Sequence, residues 1–374
     1  MLAYLFCFIL GSALGFFASE FADRWGCAQR YRSPMSKKIF ITIMSGIAAA
    51  CLYWWEVQNL MLLPHGLPPE VPNFATQAFA LHIILFTFLL AATLTDFYEM
   101  IIPDTITVVG TIAALLFAYS IPLSGLPVVG WQVGGGGCCD GEMIGYAAMT
   151  LRIESPDWQA YDQFFLLFAM IMLWWFWCFA MLDRVWYTKL PFRKAAAIFC
   201  RYLYRSPRTK PLFYAALIAP PFSILAAFSF SDVEVFSALV GMAAGMILVW
   251  SVRLVAQWVL GVEAMGFGDV TLMGMIGAFL GWQAVLLVFF IAPFFGLVYG
   301  IINVLVGKGR AVPYGPFLCL ATVVVVVAWS PIWAATAEYF AFGIGIIGLA
   351  LLVLLVLFGG LLHIVHKIMS GLRR

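Results

Sequence analysis

Apolar residues fall in long runs along this chain, and polar residues gather in the gaps between them. Eleven runs read as membrane-crossing helices, at roughly 2–20, 39–57, 76–95, 103–122, 163–182, 211–230, 235–258, 270–282, 284–306, 316–335 and 343–365. A bilayer crossing takes about 20 residues of helix. The eighth run is short, so a tilted or partly re-entrant course is expected there. The pattern predicts an all-α polytopic membrane protein with about eleven transmembrane helices. Composition agrees: of 374 residues, 64% are hydrophobic and 10% charged, against about 25% charged in soluble domains.

Charge adds an orientation. Eighteen of the twenty Lys and Arg lie after the first span, before the sixth, after the ninth or at the C-terminal end, leaving only Arg152 and Arg253. The positive-inside rule makes those segments cytoplasmic, with the N-terminus outside and the C-terminus inside. The first run lacks a basic start and a small-residue cleavage site, and reads as a retained helix rather than a signal peptide. The net charge of +2 says little about partners; the lipid bilayer is the one that composition requires, and no nucleic acid is expected.

Between the spans, residues 124–162 form a glycine-rich, acidic stretch that contains GGGGCCDGE, and 183–210 form a basic and aromatic one. The first reads as a flexible external loop, the second as a headgroup-facing cytoplasmic loop. None of the eight cysteines forms a CxxC pair, and Cys138 and Cys139 fall in the external loop. His363 and His366 read as an interfacial anchor rather than a metal site. His82 reads as a packed or hydrogen-bonded residue inside the membrane. The pairs Trp54–Trp55 and Trp174–Trp175 read as interface anchors or packing.

Three carboxylates near predicted cytoplasmic helix ends need an explanation: Asp96 and Asp104 in TLTDFYEMIIPDTIT, and Asp269 in GFGDV. The topology sets all three at one membrane face. Asp104 follows Pro103 ahead of an apolar run, and helix capping is the favoured reading for it. Asp269 differs, because capping requires neither Gly266 nor Gly268. Glycines there let another chain approach closely. Asp96 ends a helix, where the macrodipole opposes a negative charge, so it is poorly placed for a purely structural role. Two carboxyls brought together do not both ionise easily, so one serves as general acid and the other as general base. Such a pair can activate water against a peptide bond without metal or covalent intermediate. Proton-coupled transporters also use paired carboxylates.

The stretch EAMGFGDVTLMGMIGAFLGWQA resembles the GxGD signature of the type IV prepilin peptidases, a family of membrane aspartyl proteases. Leu272, Gly277, Ala278, Leu280, Gly281 and Trp282 match its continuation. TDFYEMIIPDTIT is similar to the family's Asp-rich segment, and VPYGPFL, through Pro313, Gly315 and Pro316, to a motif near its last helix. More loosely, LGSALGFFASEFADRW resembles the opening helix. The resemblance implies a catalytic pair of Asp96 and Asp269, with Asp104 at a recurrent family position. It implies substrates that are prepilins or pseudopilin-like precursors, cut at the cytoplasmic face of a bacterial inner membrane during type IV pilus assembly or type II secretion.

The chain departs from the family pattern in two ways. The connection after the first span, GCAQRYRSPMSKK, lacks the two CxxC pairs of many relatives, so no zinc is expected. S-adenosylmethionine is implied only if a methyltransferase activity is retained; proteolysis itself needs no cofactor. The expected division is 1–122 as the N-terminal part of the peptidase core, and 123–230 as an inserted loop and helical pair. Residues 231–336 complete the core, and 337–374 add a C-terminal helix and basic tail. A proton-coupled transporter and a non-catalytic assembly scaffold stand as the alternative readings.

Overall fold

The computed structural model describes residues 2–25, 34–62, 72–121, 126–127, 163–182, 194, 201, 214–216, 232–261, 265–306, 313–340 and 343–372. Among them are eleven α-helices of twelve residues or more and no strand. They are α1 (Leu2–Trp25), α2 (Met35–Tyr53), α3 (Pro72–Glu99), α4 (Asp104–Ser120), α5 (Gln163–Ala180) and α6 (Asp232–Leu260). Then follow α7 (Phe267–Leu280), α8 (Trp282–Leu305), α9 (Gly315–Val327), α10 (Trp329–Phe340) and α11 (Gly343–Leu372). A π-helical turn, Trp54–Gln58, extends α2. The chain is an all-α polytopic membrane protein: among the described residues six helices are long and apolar enough to cross a membrane, or seven with α9 and α10 taken together. The sixth expected run, 211–230, lies outside the described residues except for 214–216, and so do Cys138, Cys139 and most of the two long loops.

The tenth expected span, 316–335, is not one straight helix. Its two halves, α9 and α10, meet at 92°. Pro331 explains the break. Proline has no N–H and its ring clashes with the carbonyl four residues back, which here belongs to Val327, the last residue of α9. In the first turn of α10 the missing N–H costs nothing. Trp55 donates its indole N–H to the Val327 carbonyl at 2.9 Å, so the break leaves that acceptor satisfied. Trp329 donates to the Pro127 carbonyl at 2.8 Å and stacks on Trp333, with ring centroids 5.1 Å apart.

Helix association in lipid relies on close backbone contact, because lipid tails are as apolar as leucine. The α6–α7 pair shows this plainly. A Cβ on Gly241 would strike the Gly277 carbonyl, and a Cβ on Gly277 would strike the Gly241 carbonyl. One α6 turn further, Gly245 lies against Met273 and Gly274. Helix α7 is buried from Asp269 to Leu280, so a 14-residue helix that is apolar all round sits at the centre of the bundle. Gly110 of α4 admits Met275 from another side. Helices α1 and α2 pair through Gly11, Gly15 and Gly46 and share a smaller core with Phe79 and Ile83 of α3.

Buried polar groups tie the periphery together. His82 is fully buried, and its Nδ1 lies 2.8 Å from Glu56 Oε1, in accord with a hydrogen-bonded intramembrane histidine. Lys38 reaches back to Glu20 at 2.6 Å and Asp23 at 2.7 Å, so this cation joins α2 to α1.

The packing predicts a contrast between two glycines. Gly277→Ala should destabilise the protein by about 1–3 kcal/mol, because its methyl group meets a backbone that cannot yield. Gly300→Ala meets nothing within 4 Å and should be neutral or slightly stabilising, since alanine is the better helix former. Unfolding titrations in detergent micelles would separate the two; equal effects would show that the α6–α7 contact does not hold the bundle.

Candidate active site

Three helix ends converge on one buried spot: the C-terminal end of α3 and the N-terminal ends of α7 and α9. Asp96 lies in the last turn of α3 and is 5% exposed. Helix α3 stops at Met100, whose φ of +54° is left-handed and unfavourable for a residue with a side chain. Its N–H still closes on the Asp96 carbonyl at 2.9 Å. That sharp stop turns the chain so that Ile102 is driven in between the two other helix ends. A Cβ on Gly268 would lie 3.0 Å from the Ile102 Cβ and 3.1 Å from its carbonyl oxygen. A Cβ on Gly315 would lie 2.8 Å from the Ile102 Cδ1 and 2.5 Å from the Asp96 Oδ2. Both glycines are therefore required by the protein's own packing.

The Gly315 N–H donates to Asp96 Oδ2 at 3.0 Å. Gly315 opens α9, and the first N–H groups of a helix have no partner within it. Asp96 thus sits at the positive end of a neighbouring helix dipole, which offsets the opposition of its own. Asp269 is 8% exposed and occupies the third position of α7 behind the N-cap Gly266. Its carboxylate accepts the Gly266 N–H, the reach-back half of a capping box. Asp96 and Arg253 both lie within electrostatic range of Asp269. Tyr314, directly ahead of α9, also feels Asp269: burial first and that charge second push its phenol up, so it keeps its proton.

The remaining expected residues take defined places. Gly266 is exposed, and a Cβ there would meet only Asp269 and Gly268 within 4 Å. Pro316 is buried in the first turn of α9, and Pro313 lies ahead of it, partly exposed. Asp104 is not the cap of α4. Pro103 holds the N-cap position with φ −66° and no side-chain cap bond, and Asp104 is the first helical residue, on the exposed side. A proline with its fixed φ suits that entry, and an acid in the first turn still favours the dipole. Sequence reasoning gave Arg253 no place beside Asp269; its signal was being a basic residue inside an apolar run. Among the described residues no three His, Cys, Asp or Glu side chains converge as a metal site, and His363 on α11 is exposed.

Two buried carboxyls within electrostatic range favour states that share one proton, and each here has a helix N-terminus to receive negative charge. The arrangement can therefore offer an acid and a base to a water molecule placed between them.

Residues 209–301 match the type IV leader peptidase family, a stretch that contains Asp269 and its glycines, begins within the expected insertion and ends before Gly315. A prepilin leader peptidase/N-methyltransferase of Aeromonas salmonicida (strain A449) is 32% identical over 116 residues, covering 30% of this chain and 38% of that protein. One from Pseudomonas aeruginosa is 35% identical over 114 residues, 30% of this chain and 37% of that protein. One from Burkholderia pseudomallei (strain K96243) is 34% identical over 85 residues, 22% and 28% respectively. The chain thus spans less than two fifths of the length of these curated relatives. No solved structure matches it. Through residues 209–301, with the GFGD turn inside them, the chain is similar to the type IV leader peptidase family.

Proposed function

We propose that this protein is a membrane aspartyl endopeptidase that removes short basic leaders from prepilin or pseudopilin-like precursors at the cytoplasmic face of a bacterial inner membrane. The observation that carries this reading is the convergence of Asp96 and Asp269, from helices far apart in sequence, on two helix N-termini. The names of the similar proteins supply the substrate class.

In this mechanism the ionised carboxyl takes a proton from water as the oxygen attacks the carbonyl carbon. The protonated carboxyl gives its proton to the carbonyl oxygen. Collapse of the tetrahedral intermediate breaks the C–N bond, and the leaving amine takes up a proton from the pair. Gly266 has an open face beside Asp269, and an extended substrate backbone is proposed to lie there. The basic leader stays in the cytoplasm, and the hydrophobic segment behind the cleavage site remains in the bilayer. The orientation with the N-terminus outside and the C-terminus inside belongs to the same proposal. No step uses zinc or S-adenosylmethionine. The methyltransferase activity named in the relatives is not part of the proposal, because the connection after α1 lacks the two CxxC pairs.

Asp96→Asn and Asp269→Asn should each lower cleavage of a prepilin-like precursor in liposomes by about 100- to 10,000-fold, the range of a lost general acid or base, with folding retained. Wild-type rates from both variants would exclude the pair as the catalytic groups.

Gly315→Ala keeps the N–H donor but pushes a methyl group against the Asp96 carboxylate. A displaced catalytic group can cost about 100-fold, so the variant should lose roughly that in kcat. The initial rate at saturating precursor is the measurement. An unchanged kcat would show that the Gly315 contact does not set the position of Asp96.

A further inference from the structure

Arg253 is a buried charged residue near the site that the proposed mechanism has not used. It lies in α6 and is 5% exposed, in an apolar setting where a cation is costly to keep. The α6–α7 register delivers it to the site. Gly241 faces Gly277 and Gly245 faces Met273 and Gly274, so steps forward along α6 are steps backward along α7. Positions four apart share a helix face, and that face continues through Val249 to Arg253. The opposing positions on α7 run back to its first turn, and the Arg253 guanidinium lies 5.7 Å from the centroid of the Phe267 ring. Phe267 stands between Gly266 and Gly268, so the one side chain of the turn ahead of Asp269 is braced by a cation.

We propose that Arg253 is a positioning residue of the Asp96–Asp269 pair, supplying its counter-charge and clamping Phe267 so that this charge stays beside Asp269. The proposal rests on the peptidase reading for its consequence in cleavage, but the charge arrangement can be tested without it. A pair that shares one proton carries one negative charge, and a buried charge without a partner is strongly disfavoured. The two helix N-termini contribute only partial charges. A guanidinium adds a full one that no accessible pH removes, and its flat face suits an aromatic ring in a way a lysine ammonium does not.

The other titratable groups around Asp269 are Asp96 on α3, Tyr314 ahead of α9 and Cys319 on α9. Asp104 opens α4 on its exposed side, Glu99 ends α3 partly exposed, and α8 brings Tyr299. On α11, which packs against α6, His363 and Lys367 are exposed. Arg253 is the cation among these groups within electrostatic range of Asp269.

The test is an infrared pH titration of the protonated-carboxyl band in lipid nanodiscs, with Asp269→Asn used to identify the Asp269 component. In Arg253→Gln that component should persist to higher pH than in wild type by about one unit, the low end of what a nearby opposite charge does. Arg253→Lys keeps a charge without the flat stacking face, and should shift by less than Arg253→Gln. Equal midpoints in wild type and Arg253→Gln would overturn the proposal, and so would an equal shift in Arg253→Lys. If Arg253→Gln does not fold, Phe267→Leu releases the clamp alone; an upward shift supports the proposal and no shift overturns it. In the cleavage assay the acidic limb of the rate profile should move up with the same variants, whereas a uniform loss at every pH would mark a structural role only and overturn it. A wild type that cleaves no prepilin-like precursor would sink the peptidase reading, while the infrared titration would still decide the role of Arg253.

Discussion

A carboxylate persists inside a membrane bundle only where donors are waiting for it. In this protein that condition is met at the first N–H of α9, which Gly315 directs at Asp96. The rest of the site follows from the contact. It requires α3 to stop abruptly, which Met100 achieves in a left-handed conformation. It requires a residue without a Cβ at the start of α9, since a methyl group there would collide with the carboxylate. It also requires something to keep the ends of α7 and α9 at a set distance, and Ile102 does so by filling the space that Gly268 and Gly315 leave open.

Position elsewhere is set by the same device, the absence of side chains. Glycines let α6 and α7 touch backbone to backbone, and this close seam runs from one end of α7 to the GFGD turn at the other. A short helix buried on all sides can hold a costly carboxyl at its mouth because it has almost no freedom to shift. The break at Pro331 serves the same architecture. Its free carbonyl is taken up by Trp55, so α9 can end inside the bundle without an unsatisfied acceptor.

Both carboxylates face helix N-termini, and Asp269 also lies within electrostatic range of the buried Arg253. Three positive contributions, two helix N-termini and one guanidinium, thus stand around the two carboxyls. That balance suits proton exchange with water better than either two free carboxylates or a fully neutralised salt bridge would. It also accounts for a buried basic residue that the positive-inside pattern leaves unexplained.

Much of the fold is legible in the sequence, because membrane spans are a local property: an apolar run of sufficient length must cross or be buried. Nine of the eleven expected runs coincide with single helices and a tenth with the bent pair, although among the described residues only six or seven are long and apolar enough to cross a membrane. The acidic residues worth noticing were visible as charges at the edges of apolar runs. Finer features needed the structure. Asp104 looked like a cap, but the N-cap position went to Pro103. Gly268 looked open to an approaching chain, and the chain that approaches it is Ile102 of the same protein. The expected span at 316–335 is bent, although Pro331 stood in the sequence as its signal. The juxtaposition of Asp96, Asp269 and Arg253 was the least legible, because it depends on three helix ends meeting and on the register of α6 against α7. The sequence by itself determined which segments are apolar enough to be buried or to cross a membrane and which charged residues stand at their edges, through hydropathy and residue type. Tertiary structure alone decided which of those residues meet, because contact between distant helices is set by backbone packing that no local window of sequence records.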